Sequence, residues 1–288
     1  MKYWLLILSL AVPYASAVAD IDTRKYVQWN SEPFDKFVKV VDKDTGKNHC
    51  TGQYVGPNIV LTALHCVDDE NGTKTIINSD GVSAQGKVIF PKDISAEYLP
   101  YGSKLSYGGD DYAMIVLDDK EAFHESDSKY FRVDKSLGGG SFDNAGFGGL
   151  RVLSDKDIAQ IKVKLKKIQE ETDEWIDLDR KIQKLVSALH EPDKDGYVVG
   201  DIFGDTERLK ASVGCHLDFS DGERIGLTTG CVTYGGNSGG AFYAGDRLYG
   251  ILAASGLTIM SSGFNADAEG RVVLSSSFIE EIRQIGKQ

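Results

Sequence analysis

With 288 residues, 41% hydrophobic and 26% charged, the chain is long enough for one large domain or two packed halves with an ordinary core. Its 32 Lys and Arg against 43 Asp and Glu leave a net charge of −11, which repels phosphate backbones and argues against a nucleic-acid partner. No stretch approaches the roughly 20 apolar residues that a membrane-spanning helix needs.

Lys2, the apolar run of residues 4–12 and then Ala15-Ser16-Ala17 have the order of a secretory signal cut after Ala17. Removing residues 1–17 leaves 271, and the expected location is secreted or periplasmic. In the first half, residues 18–136, short apolar runs at 37–41, 59–62, 86–90 and 113–117 alternate with Gly, Asp, Asn and Pro clusters. That rhythm predicts an all-β barrel or sandwich. The acidic run Asp68-Asp69-Glu70-Asn71-Gly72 offers oxygen ligands of the kind calcium takes, although most such clusters are solvated turns.

A glycine-rich connection, 137–153, leads to a segment of different character at 154–192. Residues 154–190 contain no Gly or Pro, and Ser154 and Asp157 stand at capping spacing. Ile158, Ile161, Leu165, Ile168, Trp175, Ile182, Val186 and Leu189 recur in threes and fours, which predicts helix with one apolar stripe. The first part is basic and the second opens acidic, which suits an antiparallel helical hairpin; a single arm pairing with a partner or a second copy is the alternative. The last part, 193–288, repeats the β rhythm at 209–213, 241–243, 248–253 and 271–274. Ser277 and Glu280 predict a capping box, with Phe278, Ile279, Ile282 and Ile285 on one face of a short terminal helix packed on the second β unit.

Cys50, Cys66, Cys215 and Cys231 form an even set in a chain with an export signal, which favours disulfides. Each close pair encloses a loop of about 16 residues, whose closure contributes roughly 3 kcal/mol in the loop-entropy model. The expected bridges are Cys50 to Cys66 and Cys215 to Cys231. Zinc is the competing reading, because His49, His65 and His216 adjoin cysteines. Neighbouring residues rarely reach one metal together, and the paired C-x2-C spacing is missing. No metal or cofactor is expected.

Three short stretches carry chemistry. In Gly235-Gly236-Asn237-Ser238-Gly239-Gly240 a serine sits on a tight glycine turn, a backbone able to aim the N–H groups of Gly236 and Ser238 at a developing oxyanion. In Leu61-Thr62-Ala63-Leu64-His65-Cys66 an apolar strand runs into a histidine beside a cysteine, a positioned base. In Asp110-Asp111-Tyr112-Ala113-Met114-Ile115 a carboxylate at the lip of an apolar strand needs a partner, which a histidine N–H supplies. Asp110 is the alternative to Asp111. Taken singly, each has a structural explanation as a loop, a core histidine or a turn.

Together these motifs resemble the trypsin/chymotrypsin-like serine peptidases, in their bacterial secreted branch. Thr62-Ala63-Leu64-His65-Cys66 is similar to Thr-Ala-Ala-His-Cys, Asp111-Tyr112-Ala113-Met114-Ile115 to Asp-Ile-Ala-Leu-Leu, and Gly236-Asn237-Ser238-Gly239-Gly240 to Gly-Asp-Ser-Gly-Gly. The order His, Asp, Ser matches. His65 and Asp111 are 46 apart, but Asp111 to Ser238 is 127 against the usual ~90, an excess about the size of the helical segment. The resemblance implies two six-stranded antiparallel β-barrels in the chymotrypsin-like arrangement, with a helical insertion and a C-terminal helix. It also implies a catalytic triad of His65, Asp111 and Ser238, an oxyanion hole at Gly236 and Ser238, and a protein or peptide substrate.

Ala145-Gly146-Phe147-Gly148 resembles the Gly-Trp-Gly turn that opens the family's second barrel, which places the insertion in a loop bordering the specificity pocket, as a lid, a docking element or surface decoration. Asn237 replaces the aspartate that pairs with a newly freed N-terminus in trypsin-like zymogens, so activity without that activation is expected. The implied specificity pocket is Val232, Thr233, Leu252, Ala253 and Ser255. Val232, six before Ser238, stands where trypsin has its basic-specificity aspartate, and Leu252 stands where glutamyl endopeptidases carry histidine. A small or apolar residue is the expected preference. The rival to a secreted serine endopeptidase is a binding protein on a peptidase scaffold, docking a partner through residues 154–190.

Overall fold

The computed structural model describes residues 24–41, 46, 48–67, 72–92, 109–118, 129–135, 139–149, 154–170, 184, 187–200, 206–219, 223–233, 236–254, 258–260, 263–265 and 270–287. The expected signal segment 1–17, the acidic run 68–71, most of the expected second helical stretch and Ser255 lie outside them.

After a two-residue strand β1 (Lys25–Tyr26), six strands close the first barrel: β2 (Phe37–Val41), β3 (Asn48–Gly56), β4 (Ile59–Thr62), β5 (Thr73–Ile77), β6 (Ser83–Ile89) and β7 (Ala113–Leu117). Their order around the barrel is β2-β3-β4-β7-β6-β5, every pairing antiparallel. The side-chain period of two divides each apolar run between two cores. Val38, Val40, Val60, Ile76, Ala113 and Ile115 fill the barrel interior, whereas Phe37, Ile59, Leu61 and Met114 point to the junction with the second half. Strands buried on both faces read as unbroken apolar runs, which is why 37–41, 59–62 and 113–117 stand out in the sequence.

β8 (Arg132–Val133) leads to the second barrel, made of β9 (Gly140–Gly146), β10 (Lys210–Asp218), β11 (Ile225–Thr229), β12 (Ala241–Ala244), β13 (Arg247–Ala254) and β16 (Gly270–Leu274). The order β9-β10-β11-β16-β13-β12 closes because β12 also pairs with β9. β14 (Thr258–Met260) and β15 (Gly263–Asn265) form a separate hairpin. The protein therefore has two closed six-stranded antiparallel β-barrels in a chymotrypsin-like fold.

Part of the glycine-rich connection is thus a barrel strand, β9. Its glycines serve close approach: a Cβ on Gly146 would lie 2.8 Å from Asn237 Oδ1 and 3.0 Å from Thr51 Oγ1.

Helix α1 (Asp155–Glu170) opens with the capping box read from the sequence. Asp157 N–H donates to Ser154 Oγ at 3.2 Å and Ser154 N–H to Asp157 Oδ2 at 2.9 Å. Lys164 Nζ donates to the carbonyls of Ala188 and Glu191. Tyr197 OH donates to Asp157 Oδ1 at 2.7 Å, and Gln160 Nε2 to Asp193 Oδ2 at 2.6 Å. A continuous helix would carry residue 188 about 36 Å beyond residue 164, so the chain has doubled back. Ile161 and Leu189, both on the apolar stripe, are buried.

The terminal helix α2 (Ile279–Ile285) buries Ile279 and Ile282 as its period requires. The Ser277–Glu280 capping box does not form. Ser277 belongs to a short 3-10 helix and its hydroxyl meets Arg224, while Glu280 pairs with Arg283. Nor does this end of the chain touch the second barrel alone, because Phe278 packs on Tyr112 of the first at a ring separation of 5.5 Å.

Candidate active site

β4 ends in Thr62, and a 3-10 turn, Leu64–Cys66, then carries His65. The Cys50–Cys66 disulfide, with a Cα–Cα distance of 6.0 Å, fastens this turn to β3. It takes both sulfurs of the one cluster among the described residues with metal-ligating potential, Cys50, His65 and Cys66. Cys215 and Cys231 form the second disulfide, inside the other barrel.

Asp111 precedes β7, which is hydrogen-bonded to β4, so its carboxylate comes level with His65. His65 Nδ1 lies 2.9 Å from Asp111 Oδ2, and His65 N–H donates to Asp111 Oδ1 at 3.1 Å. The Asp111 side chain is fully buried while the His65 side chain keeps 21% of its surface. Burial pushes the Asp111 pKa up, and the hydrogen bonds and charge of His65 pull it only partly back. Asp110 turns the other way, to the guanidinium of Arg224.

Ser238 stands on the turn before β12, and two strands hold that turn. Gly239 N–H donates to Leu252 O at 2.7 Å and Leu252 N–H to Gly240 O at 2.9 Å, stitching it to β13. Thr51 N–H donates to Ser238 O at 2.9 Å, tying it to β3 of the other barrel. Cys66 Sγ lies 3.9 Å from the same carbonyl, so the Ser238 main chain runs beside the residue that follows His65. Gly236 has φ +95°, and a Cβ there would stand 2.7 Å from Phe147 O, so only glycine fits.

Asn237 is buried, and neither its Oδ1 nor its Nδ2 has a hydrogen-bond partner among the described residues. Its Oδ1 and Arg24 Nη1 both lie within 2.5 Å of where a Cβ on Gly148 would sit, so a buried guanidinium and a buried carboxamide border one small space beneath the turn.

Of the residues expected to form the specificity pocket, Val232, Thr233, Leu252 and Ala253 are all buried. Leu252 belongs to the second-barrel core and Ala253 to the junction. Thr233 Oγ1 and Leu252 both border Gly270, which the sequence reading missed because a lone glycine on a strand gives no signal. Thr51 was missed too, for it is one threonine in a strand of mixed polarity. The hydrogen-bond partners that converge on it, two donors and one acceptor, come from residues 11, 96 and 185 positions away.

No helix among the described residues is long and apolar enough to cross a membrane. The protein-family model described as Trypsin matches residues 22–126. A search of curated proteins finds no match. Among solved structures the fold is similar to neuropsin, a serine protease expressed in the limbic system of mouse brain. That likeness has 12% sequence identity, covers 87% of this chain and 94% of that one, and has a TM-score of 0.52. The Trypsin match thus falls on the part of the chain that holds the first barrel, and the likeness to neuropsin shows the chymotrypsin-like fold.

Proposed function

We propose that this protein is a serine endopeptidase, exported after cleavage near Ala17, in which Ser238 is the nucleophile, His65 the general base and Asp111 the residue that orients His65. The observation that carries the reading is the two-point hold of Asp111 on His65, beside a glycine turn tied down next to Cys66. A buried carboxylate gripping both ring and main chain fixes the imidazole's tautomer, with Nδ1–H toward Asp111 and Nε2 left to accept a proton.

In the proposed cycle His65 Nε2 takes the Ser238 hydroxyl proton as Oγ attacks a peptide carbonyl. The N–H groups of Gly236 and Ser238 receive the oxyanion, and His65 returns the proton to the leaving amine. Water, deprotonated by His65, then attacks the acyl group, and His65 returns that proton to Ser238 Oγ as the acyl–Oγ bond breaks. The trypsin family match supports this chemistry. The substrate is a protein or peptide, and Val232 in place of an acidic residue favours a small or apolar side chain over a basic one at the bond that is cut.

A binding protein that docks through residues 154–190 is the weaker reading, since Ile161 and Leu189 of the helical stripe are already buried within the chain. The test is covalent labelling by a fluorophosphonate probe. Wild type should label, and Ser238→Ala and His65→Ala should not; a folded wild type that fails to label would overturn the reading.

A further inference from the structure

We infer that Thr51 is a positioning residue for the oxyanion hole, an inference that rests on the peptidase reading above. Thr51 is fully buried on β3, next to Cys50, and all three of its polar main-chain and side-chain sites on the inner side are engaged. Its N–H donates to Ser238 O at 2.9 Å. Its hydroxyl donates to Gly236 O at 2.7 Å and accepts from Phe147 N–H at 2.9 Å. Its own carbonyl accepts from Thr62 Oγ1 at 2.8 Å, which locks the strand to β4 just before His65.

A trans peptide is planar, so fixing its carbonyl fixes the direction of its N–H. Asn237 O accepts from Gly240 N–H at 2.7 Å, which orients the plane carrying the Ser238 N–H. Thr51 holds the carbonyls of the planes on either side, those of Gly236 and Ser238. At Gly236, where φ is +95° and glycine has no side chain to limit rotation, the hydroxyl anchors the plane that follows the Gly236 N–H, so that N–H is restrained through the Gly236 Cα. Preorganised donors work because they need no rearrangement when charge develops. Thr51 does not touch the reacting atoms; it acts through the two carbonyls. Since the same residue joins the barrel of His65 to the turn of Ser238, it also sets the register between base and nucleophile.

The experiment measures fluorophosphonate labelling of the mature protein over a range of probe concentrations, giving a limiting rate and a half-saturating concentration. Thr51→Val keeps the shape and removes the hydroxyl. Its limiting rate should fall about tenfold to a hundredfold, less than the 10²–10³ lost with a direct oxyanion donor, with little change in half-saturation. Thr51→Ser, which keeps the hydroxyl, should return to within about threefold of wild type. Should Thr51→Val not fold, Thr51→Ala, with room for a water, is read in the same way. Equal limiting rates in wild type and Thr51→Val, or an equal loss in Thr51→Val and Thr51→Ser, would overturn the inference while leaving the triad standing. A folded wild type that does not label overturns both.

Discussion

Asp111 holds His65 at two points, the ring Nδ1 at 2.9 Å and the main-chain N–H at 3.1 Å, so one carboxylate sets both where the residue sits and how its ring is turned. Asp111→Asn should therefore separate chemistry from folding. The amide offers Nδ1 a donor where it needs an acceptor, and labelling or turnover should drop about 10³–10⁴-fold. Because burial dominates the environment of Asp111 and disfavours its charge, the neutral isostere should melt at or above the wild-type temperature at pH 7. A large loss of thermal stability would contradict this.

The same raised pKa gives a sign to the pH dependence of stability. Folded Asp111 takes up its proton at higher pH than the unfolded chain does, so its contribution is fully present below the ordinary aspartate value of about 3.9 and is lost as pH rises through the raised value. The stability of wild type relative to Asp111→Asn should accordingly increase as pH falls through that window. Urea titrations of both proteins at several acidic pH values would reveal the opposite slope if the assignment of cause is wrong.

The two disulfides should not be equivalent. Each closes a 16-residue separation and should contribute roughly 3 kcal/mol. Cys50 and Cys66 adjoin Thr51 and His65, whereas Cys215 and Cys231 sit in the second-barrel core. The Cys50→Ala/Cys66→Ala pair should lower both melting temperature and labelling rate, while Cys215→Ala/Cys231→Ala should lower the first much more than the second.

Asn237→Asp would set a carboxylate beside the Arg24 guanidinium in a buried space. An ion pair with charged hydrogen bonds should form there, raising the melting temperature, and Arg24→Met in the same background should cancel the gain. A double-mutant cycle measures the coupling directly; zero coupling would show that the two groups do not meet.

Much of the first barrel was legible because β2, β4 and β7 are buried on both faces and so leave unbroken apolar runs. β3 was hidden by its polar residues: Thr51 and Gln53 are buried but work through hydrogen bonds, which hydropathy does not register. β9 was hidden by glycines that admit Asn237 and Thr51 at close range rather than making turns. Asp111 is preferred over Asp110 from its place beside the apolar strand, but the partner that draws Asp110 away, Arg224, lies 114 residues on and gives no local signal. At the C-terminus, Ser277 and Glu280 had the right spacing for a cap, but tertiary partners, Arg224 among them, engaged the serine instead.

The clasp of α1 against residues 188–197 brings the entrance and exit of the insertion together: Asp157, bonded to Ser154 near its start, is also bonded to Tyr197 after its end. An inserted module whose ends meet asks little of its host beyond a short gap between two loop residues. It can be lengthened, shortened or exchanged as a cassette without altering the register of either barrel.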